Sequence, residues 1–199
     1  MVTGTAVIGP AVELSATLAH SLDAVFIDTA ETQVPAVDGV VVVGGAEAES
    51  VPFTEQTPEE WDLAVNTAMW HSLQALQRAH ASLLDAGGRI VVVTPTIGIA
   101  GAQGLVAYTT AVEGTRAMVK SAARQWASDS IVVNMVAAPL ALFAPGLVSS
   151  AAHLTAPAVS DDSRLLDSVV ETVKFLLRRD VAYLVGETVV VDGGSVMLP

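Results

Sequence analysis

The sequence predicts an α/β domain, an open parallel sheet of about six strands with helices on both faces. Three observations carry that expectation. Short β-branched runs alternate with longer stretches whose apolar residues recur at helical spacing, the order that builds parallel sheets. Several strand runs are continuously apolar, "GVVVVGG" above all, as a strand buried on both faces requires. The 199 residues, 52% of them hydrophobic, suit one domain spanning residues 1–199 with a large core.

The elements follow in order. "TAVIG" (Thr5–Gly9) is a first strand, ended by Gly9 and Pro10. "AVELSATLAHSL" has helical spacing, "AVFID" is a second strand and "GVVVVGG" a third. "TPEEWDLAVNTAMWHSLQALQRAHASLL" is a long helix with a clear start: Thr57 as N-cap, Pro58 at the first helical position and Glu60 completing a capping box. "GGRIVVVT" is a strand, Gly104 to Ser128 a helix, and "SIVVNMVA" a strand. "DDSRLLDSVVETVKFLLRRD" is a helix and "GETVVVDGG" the last strand. Between them, Leu140 to about Asp161 is a long connection rich in Ala, Pro and Ser, either a lid or a plain surface loop.

Composition excludes several functions. The net charge of −12 argues against nucleic acid and against an anionic membrane, because phosphate contacts need a basic face. No cysteine is present, which removes disulfides, thiolate metal sites and a cysteine nucleophile and fits a cytoplasmic protein. The start, "MVTGTAVIGP", lacks the basic and apolar regions of a signal peptide. The longest apolar run is broken by Asn134, Pro139 and Pro145, so no membrane span is expected. His20, His71, His80 and His153 show no ligand spacing, and no metal site is expected.

From about Val37 to Gly194 the chain resembles the short-chain dehydrogenase/reductase family. "EEWDLAVNTAMWHSL" is similar to a family helix that begins after an E-x-W. "GGRIVVVTPTIGIAGAQGLVAYTTAVEGTRAMVKSAARQWASDSIVVNMVAAP" follows the family's strand–loop–helix–strand, and "VAYLVGETVVVDGG" its C-terminal signature. The resemblance implies a Rossmann-like, doubly wound sheet, normally of seven strands, that binds a nicotinamide dinucleotide at the switch point. Only about ten residues separate "AVFID" from "GVVVV", where the family fits a helix, an edge strand and another helix. A six-stranded sheet of order 2-1-4-5-6-7 in family numbering is therefore expected, with "AVFID" as a new edge guarded by Asp28 and Glu31.

The resemblance also shows what is missing. Family members use a tyrosine and a lysine four residues apart on one helix face, a serine and an asparagine. Here Tyr108 matches, but Val112 stands at the lysine position, Pro95 at the serine position and Ala68 at the asparagine position. A phenol at its ordinary pKa of about 10 carries roughly one phenolate in a thousand at neutral pH, and a valine supplies no cation to change that. Tyr108 is read as a packing residue. Thr94 and Thr96 flank Pro95, and strand alternation turns both away from it, although a distorted loop would deliver Thr96 as a substitute hydroxyl. The glycine-rich phosphate turn reads "IGPAVELSA": Gly9 survives, Pro10 has no N–H to donate, and Glu13 would repel a phosphate. Asp28, nineteen residues after Gly9, sits where an NAD-type domain keeps its ribose-binding acid, and reads as a remnant. The family's Asn-Asn-Ala-Gly appears as "VVGGAE" (Val42–Glu47), without either asparagine.

These departures imply a chain with no dinucleotide of its own and vestigial catalysis. The expected role is a structural subunit of a heterodimer or heterotetramer whose NAD(P) sits in an active homologous subunit. That complex would act on an alcohol or ketone, with a hydroxyacyl thioester suggested by the family's habits. Helices 58–84 and 104–128 and the C-terminal "VVVDGGSVMLP" resemble the family's subunit contacts; small residues Ala107, Ala111, Gly114 and Ala122 permit close helix packing. Two other readings stand beside this one: an active reductase using Tyr108 and Thr96, and a binding module that reuses the vacated cleft.

Overall fold

The apolar runs assemble as one parallel sheet. This computed structural model describes residues 4–45, 49–84, 86–151, 157–159 and 161–197. The strands are β1 (Thr5–Gly9), β2 (Val25–Asp28), β3 (Gly39–Val43), β4 (Gly88–Pro95), β5 (Ile131–Ala138) and β6 (Thr188–Val190). Their order is β2-β1-β3-β4-β5-β6, every pair parallel. This is the expected arrangement, with β2 at the edge where a further strand was anticipated to be missing. The four valines of β3 and all eight residues of β4 are buried, which explains why these runs carry no polar alternation.

Helices cover both faces. On one lie α3 (Thr67–Leu83) and α5 (Val106–Gln125), packed on Ile8, Val40, Val42, Ile90 and Val133, with the short α2 (Pro58–Trp61), which buries no residue, leading into α3. On the other lie α1 (Glu13–Ser21) and α6 (Leu165–Leu177), packed on Val7, Val41, Val91 and Val136. A four-residue helix, α4 (Ile97–Ala100), follows β4. The capping box forms as read: Glu60 N–H donates to Thr57 Oγ1 at 3.2 Å, and Thr57 N–H to Glu60 Oε2 at 2.9 Å. The helix it starts is not continuous, because a π-helical turn, Asp62–Asn66, separates α2 from α3. The following helix is shorter than the expected 104–128 and closes in a 3-10 turn, Trp126–Asp129.

Two buried polar side chains fasten the far side of the sheet. Asn134, in the middle of β5, donates from Nδ2 to Leu184 O at 2.8 Å and accepts Glu187 N–H at 3.0 Å, anchoring the loop into β6. Arg89, on β4, donates to the carbonyls of Arg178 and Arg179 just past α6, and to Gly88 O. Burial, helped by the neighbouring Arg179 charge, pulls its pKa below the ordinary arginine value.

The link between β2 and β3, residues 29–38, crosses over β1 as coil. Parallel crossovers usually need a dozen or more residues and a helix. Here Arg78 of α3 substitutes for the helix by donating to the carbonyls of Thr29 and Glu31. Val34 and Val37 pack into the core beneath. At the top of the edge, Asp28 N–H donates to Glu31 Oε1 at 3.2 Å, and Asp28 Oδ1 accepts Ala30 N–H at 3.0 Å.

Candidate functional site

The tyrosine and the three positions that would surround it in an active relative converge. Ala68, Pro95, Tyr108 and Val112 line one cavity, together with Gly44, Gly45, Ser72, Thr94, Ala111 and Thr115. The elements explain the convergence. Tyr108 and Val112 lie one turn apart on α5, Pro95 ends β4, and Ala68 opens α3 just after the π-helical turn.

The cavity holds about 10 Å³, room for no more than one water. Among the described residues Tyr108 is its only titratable side chain, and the other polar groups are the hydroxyls of Ser72, Thr94 and Thr115 and glycine backbone. Thr115 Oγ1 is already committed, donating to Ser72 Oγ at 3.0 Å or to Ala111 O at 3.0 Å. Tyr108 is buried against Ile97, Leu105, Val112 and Leu140.

The lysine position is closed. Val112 Cγ1 lies 2.4 Å from where a Cβ on Gly98 would sit, so α4 rests directly on the valine. Of the two threonines beside Pro95, Thr94 joins the cavity wall, against the expectation from alternation, because it stands at the end of the strand beside Gly44. Thr96 does not line the cavity. It is buried at the start of α4, and its N–H donates to Ala138 O at 2.8 Å.

The turn after β1 departs from a glycine-rich phosphate cradle. Gly9 is needed for sheet packing: a Cβ there would meet Val43 Cβ at 2.8 Å and Ser15 Oγ at 3.1 Å. Its bare face therefore points into the protein. Ser15 is fully buried, beneath that turn. Helix α1 begins at Glu13 without a side-chain cap, and Glu13 puts a carboxylate in the first turn, where a phosphate would need the positive end of the helix. Asp28, expected as the remnant of a ribose-binding acid, is engaged in its own turn with Ala30 and Thr29. Glu47 lies outside the described residues.

His20 and His71 are exposed, His80 stacks on Trp126 and pairs with Asp129 at 3.0 Å, and His153 lies outside the described residues. Among the described residues no group of side chains could hold a metal, and no helix is long and apolar enough to cross a membrane. The small residues of α5 serve packing inside the chain. Ala107, Ala111 and Ala122 are buried, and Gly114 lies against Met69 of α3. Trp70 and Leu63 of the preceding helix are exposed, at 56% and 72%. In the C-terminal segment, the buried Asp192 carboxylate accepts the N–H groups of Gly194, Ser195 and Val196. Gly193 (φ 68°) and Gly194 (φ 84°) supply the left-handed backbone this turn demands. Of the Leu140–Asp161 connection, the described part includes two short 3-10 stretches, Leu140–Leu142 and Pro145–Ala151.

Comparison with known proteins places this arrangement. Residues 4–196 match the family model described as enoyl-(acyl carrier protein) reductase. The chain is 28% identical over 108 residues to a 12α-hydroxysteroid dehydrogenase of a Clostridium species, covering 54% of this chain and 41% of that one. It is 31% identical over 155 residues to the 3-oxoacyl-(acyl-carrier-protein) reductase of Escherichia coli, covering 70% and 59%. It thus spans about half the length of the curated relatives it matches. Among solved structures, a 3-oxoacyl-(acyl-carrier-protein) reductase from Agrobacterium tumefaciens with NADP bound superposes with a TM-score of 0.76 at 15% identity, covering 97% of this chain and 94% of the other. A short-chain oxidoreductase from Pseudomonas aeruginosa described as containing an atypical catalytic centre has the same TM-score at 14% identity, covering 98% of each.

Proposed function

This chain belongs to the short-chain dehydrogenase/reductase family, and from that premise we propose that it is a subunit without catalysis of its own. It pairs with an active homologue in an NAD(P)-dependent oxidoreductase acting on an alcohol or ketone, with hydroxyacyl thioesters as the substrate class. One observation carries the reading. The positions that would hold serine, lysine and asparagine meet around Tyr108 as Pro95, Val112 and Ala68, in a cavity of about 10 Å³. A proton shuttle at neutral pH needs a second ionisable group beside the phenol, and groups that act as a unit are not replaced singly. Among the described residues the wall offers no cation, and the space has room for about one water.

The same cavity weighs against the two other readings. Thr96 is absent from the wall around Tyr108, which removes support for the tyrosine–threonine reductase. A binding module would need a pocket of about 300 Å³ or more for a drug-sized ligand. The lack of a dinucleotide rests on the packed face of Gly9, the missing N–H of Pro10 and the carboxylate of Glu13. The pairing rests on the exposed Trp70 and Leu63, apolar side chains on the helix that resembles the family's subunit contact.

Two measurements test this. Titration of the purified chain with NADH and NADPH, followed by fluorescence and calorimetry, is expected to show no saturable binding. Co-expression with the full-length homologue from the same genome is expected to yield a co-purifying complex whose activity survives Tyr108→Phe in this chain. Tight nucleotide binding, or a chain that stays a homo-oligomer beside its homologue, overturns the proposal.

A further inference from the structure

We infer that the free edge of β2 is a docking strip for an extended partner segment that alternates apolar and basic residues and adds a seventh strand to the sheet. This does not depend on the subunit role proposed above, which uses the exposed side chains of the α2–α3 region.

The strip is built from the shortened link. β2 ends the sheet, and Val25 and Phe26 are exposed at 54% and 38%, unusual for strand residues of this size. Beside them an open groove of about 350 Å³ is lined by Val25, Phe26, Ile27, Glu31, Gln33, Val34 and Pro35. Its floor is apolar, and among the described residues its one charged lining residue is Glu31. The far wall is fixed in advance, because Arg78 holds the carbonyls of Thr29 and Glu31, and Val37 N–H donates to Ser82 O. A partner therefore meets a groove already shaped, which lowers the entropy lost on docking.

The backbone gives the direction of approach. Asp28 N–H donates to a side chain, Glu31, and so points away from β1. Strand alternation then turns the N–H and C=O of Phe26 outward as well. An incoming strand can pair with Phe26, seat apolar side chains against Val25, Val34 and Pro35, and place a lysine or arginine at Glu31. This is strand addition at an exposed sheet edge. A second copy of this chain is the poorer occupant, since each would bring its own acidic Asp28–Glu31 turn and a net charge of −12. With one open backbone pair and a short strand, the contact is weak.

The test uses a fluorescein-labelled hexapeptide of alternating valine and lysine, with the valine–glutamate hexapeptide as control, in anisotropy titrations against the whole chain. Saturable binding of the lysine peptide only is expected. Phe26→Pro removes the outward donor without changing charge, and Glu31→Gln removes the anion; each is expected to weaken binding by about tenfold or more. Because Phe26→Pro could unfold the edge, amide exchange at Phe26 in the unaltered chain is measured too, and is expected to slow when the lysine peptide is bound. Absence of saturable binding, equal binding of the glutamate peptide, or unchanged exchange at Phe26 overturns the inference. So does a dimer of the chain alone that Phe26→Pro dissolves. Co-purification with the homologue, followed in the same two variants, is expected to persist, which separates this inference from the subunit proposal.

Discussion

Gly98→Ala tests directly whether the lysine position is sealed. The added Cβ would lie 2.4 Å from Val112 Cγ1, inside any real contact distance, and 3.0 Å from Val112 Cβ, at the limit of one. Neither side can yield freely, because α4 is tied to β5 through the Thr96 N–H to Ala138 O, and Val112 is buried on α5. Overpacking of this kind costs about 1–3 kcal/mol. Alanine in place of glycine in a helix returns about 0.5–1 kcal/mol, so the net loss is about 0–2.5 kcal/mol. Val112→Ala alone removes two buried methyl groups and loses about 1.5–2.5 kcal/mol. In the double variant Cγ1 is gone, and the methyl introduced by Gly98→Ala enters the space it left. The combination is therefore expected to be more stable than Val112→Ala alone, with a coupling of about 1–2 kcal/mol. Urea denaturation of the four proteins of the cycle, at constant m-value, measures it. Additivity within about 0.5 kcal/mol would refute the contact and with it the claim that α4 closes the site.

Three further outcomes are expected. Asn134→Leu leaves Leu184 O and Glu187 N–H without their partner and should lower stability by about 2–4 kcal/mol in urea, loosening amide exchange first in the loop before β6. Arg89→Met strips the carbonyls of Arg178 and Arg179 of a charged donor and should cost about 1.5–3 kcal/mol by the same measurement, whereas an unchanged midpoint would remove its fastening role. The Glu60 carboxyl is held below its ordinary 4.5 by the backbone and hydroxyl of Thr57, so the stability it lends is complete above that value and is lost as pH falls through the lowered folded value; the melting temperature of Glu60→Gln should fall less than that of the natural chain between neutral pH and acid.

The strands, their order and the capped helix were legible because each rests on a local or periodic signal. "GVVVV" and "RIVVVT" read as buried strands, and Thr57-Pro58-Glu59-Glu60 reads as a helix start, from neighbours in sequence alone. The emptied catalytic positions were legible for a related reason: the four-residue spacing of Tyr108 and Val112 on a helix fixes a shared face whatever surrounds it. What escaped depends on contacts between distant segments. No local pattern says that Gly98 will rest on Val112, that Arg78 will hold a coil in place of a helix, or that Asn134 will bind a loop fifty residues away. Asn134 carried one usable signal, a lone amide inside an otherwise apolar strand run, since a buried polar group demands partners. The π-helical turn at Asp62–Asn66 had none, and Thr94 entered the cavity wall only because β4 ends there.

The coil that carries the chain from β2 to β3 also shapes how the sheet can be assembled. β1, β2 and β3 all fall within the first 43 residues, so three neighbouring strands are joined by short stretches of chain. Closing short loops loses less configurational freedom than closing long ones, and ladders of low sequence separation form fastest. β6 reaches its partner β5 only after a connection of about fifty residues, at an entropic penalty about 1 kcal/mol larger. The amino-terminal trio is thus the natural nucleus, and the carboxyl-terminal strand the last to dock.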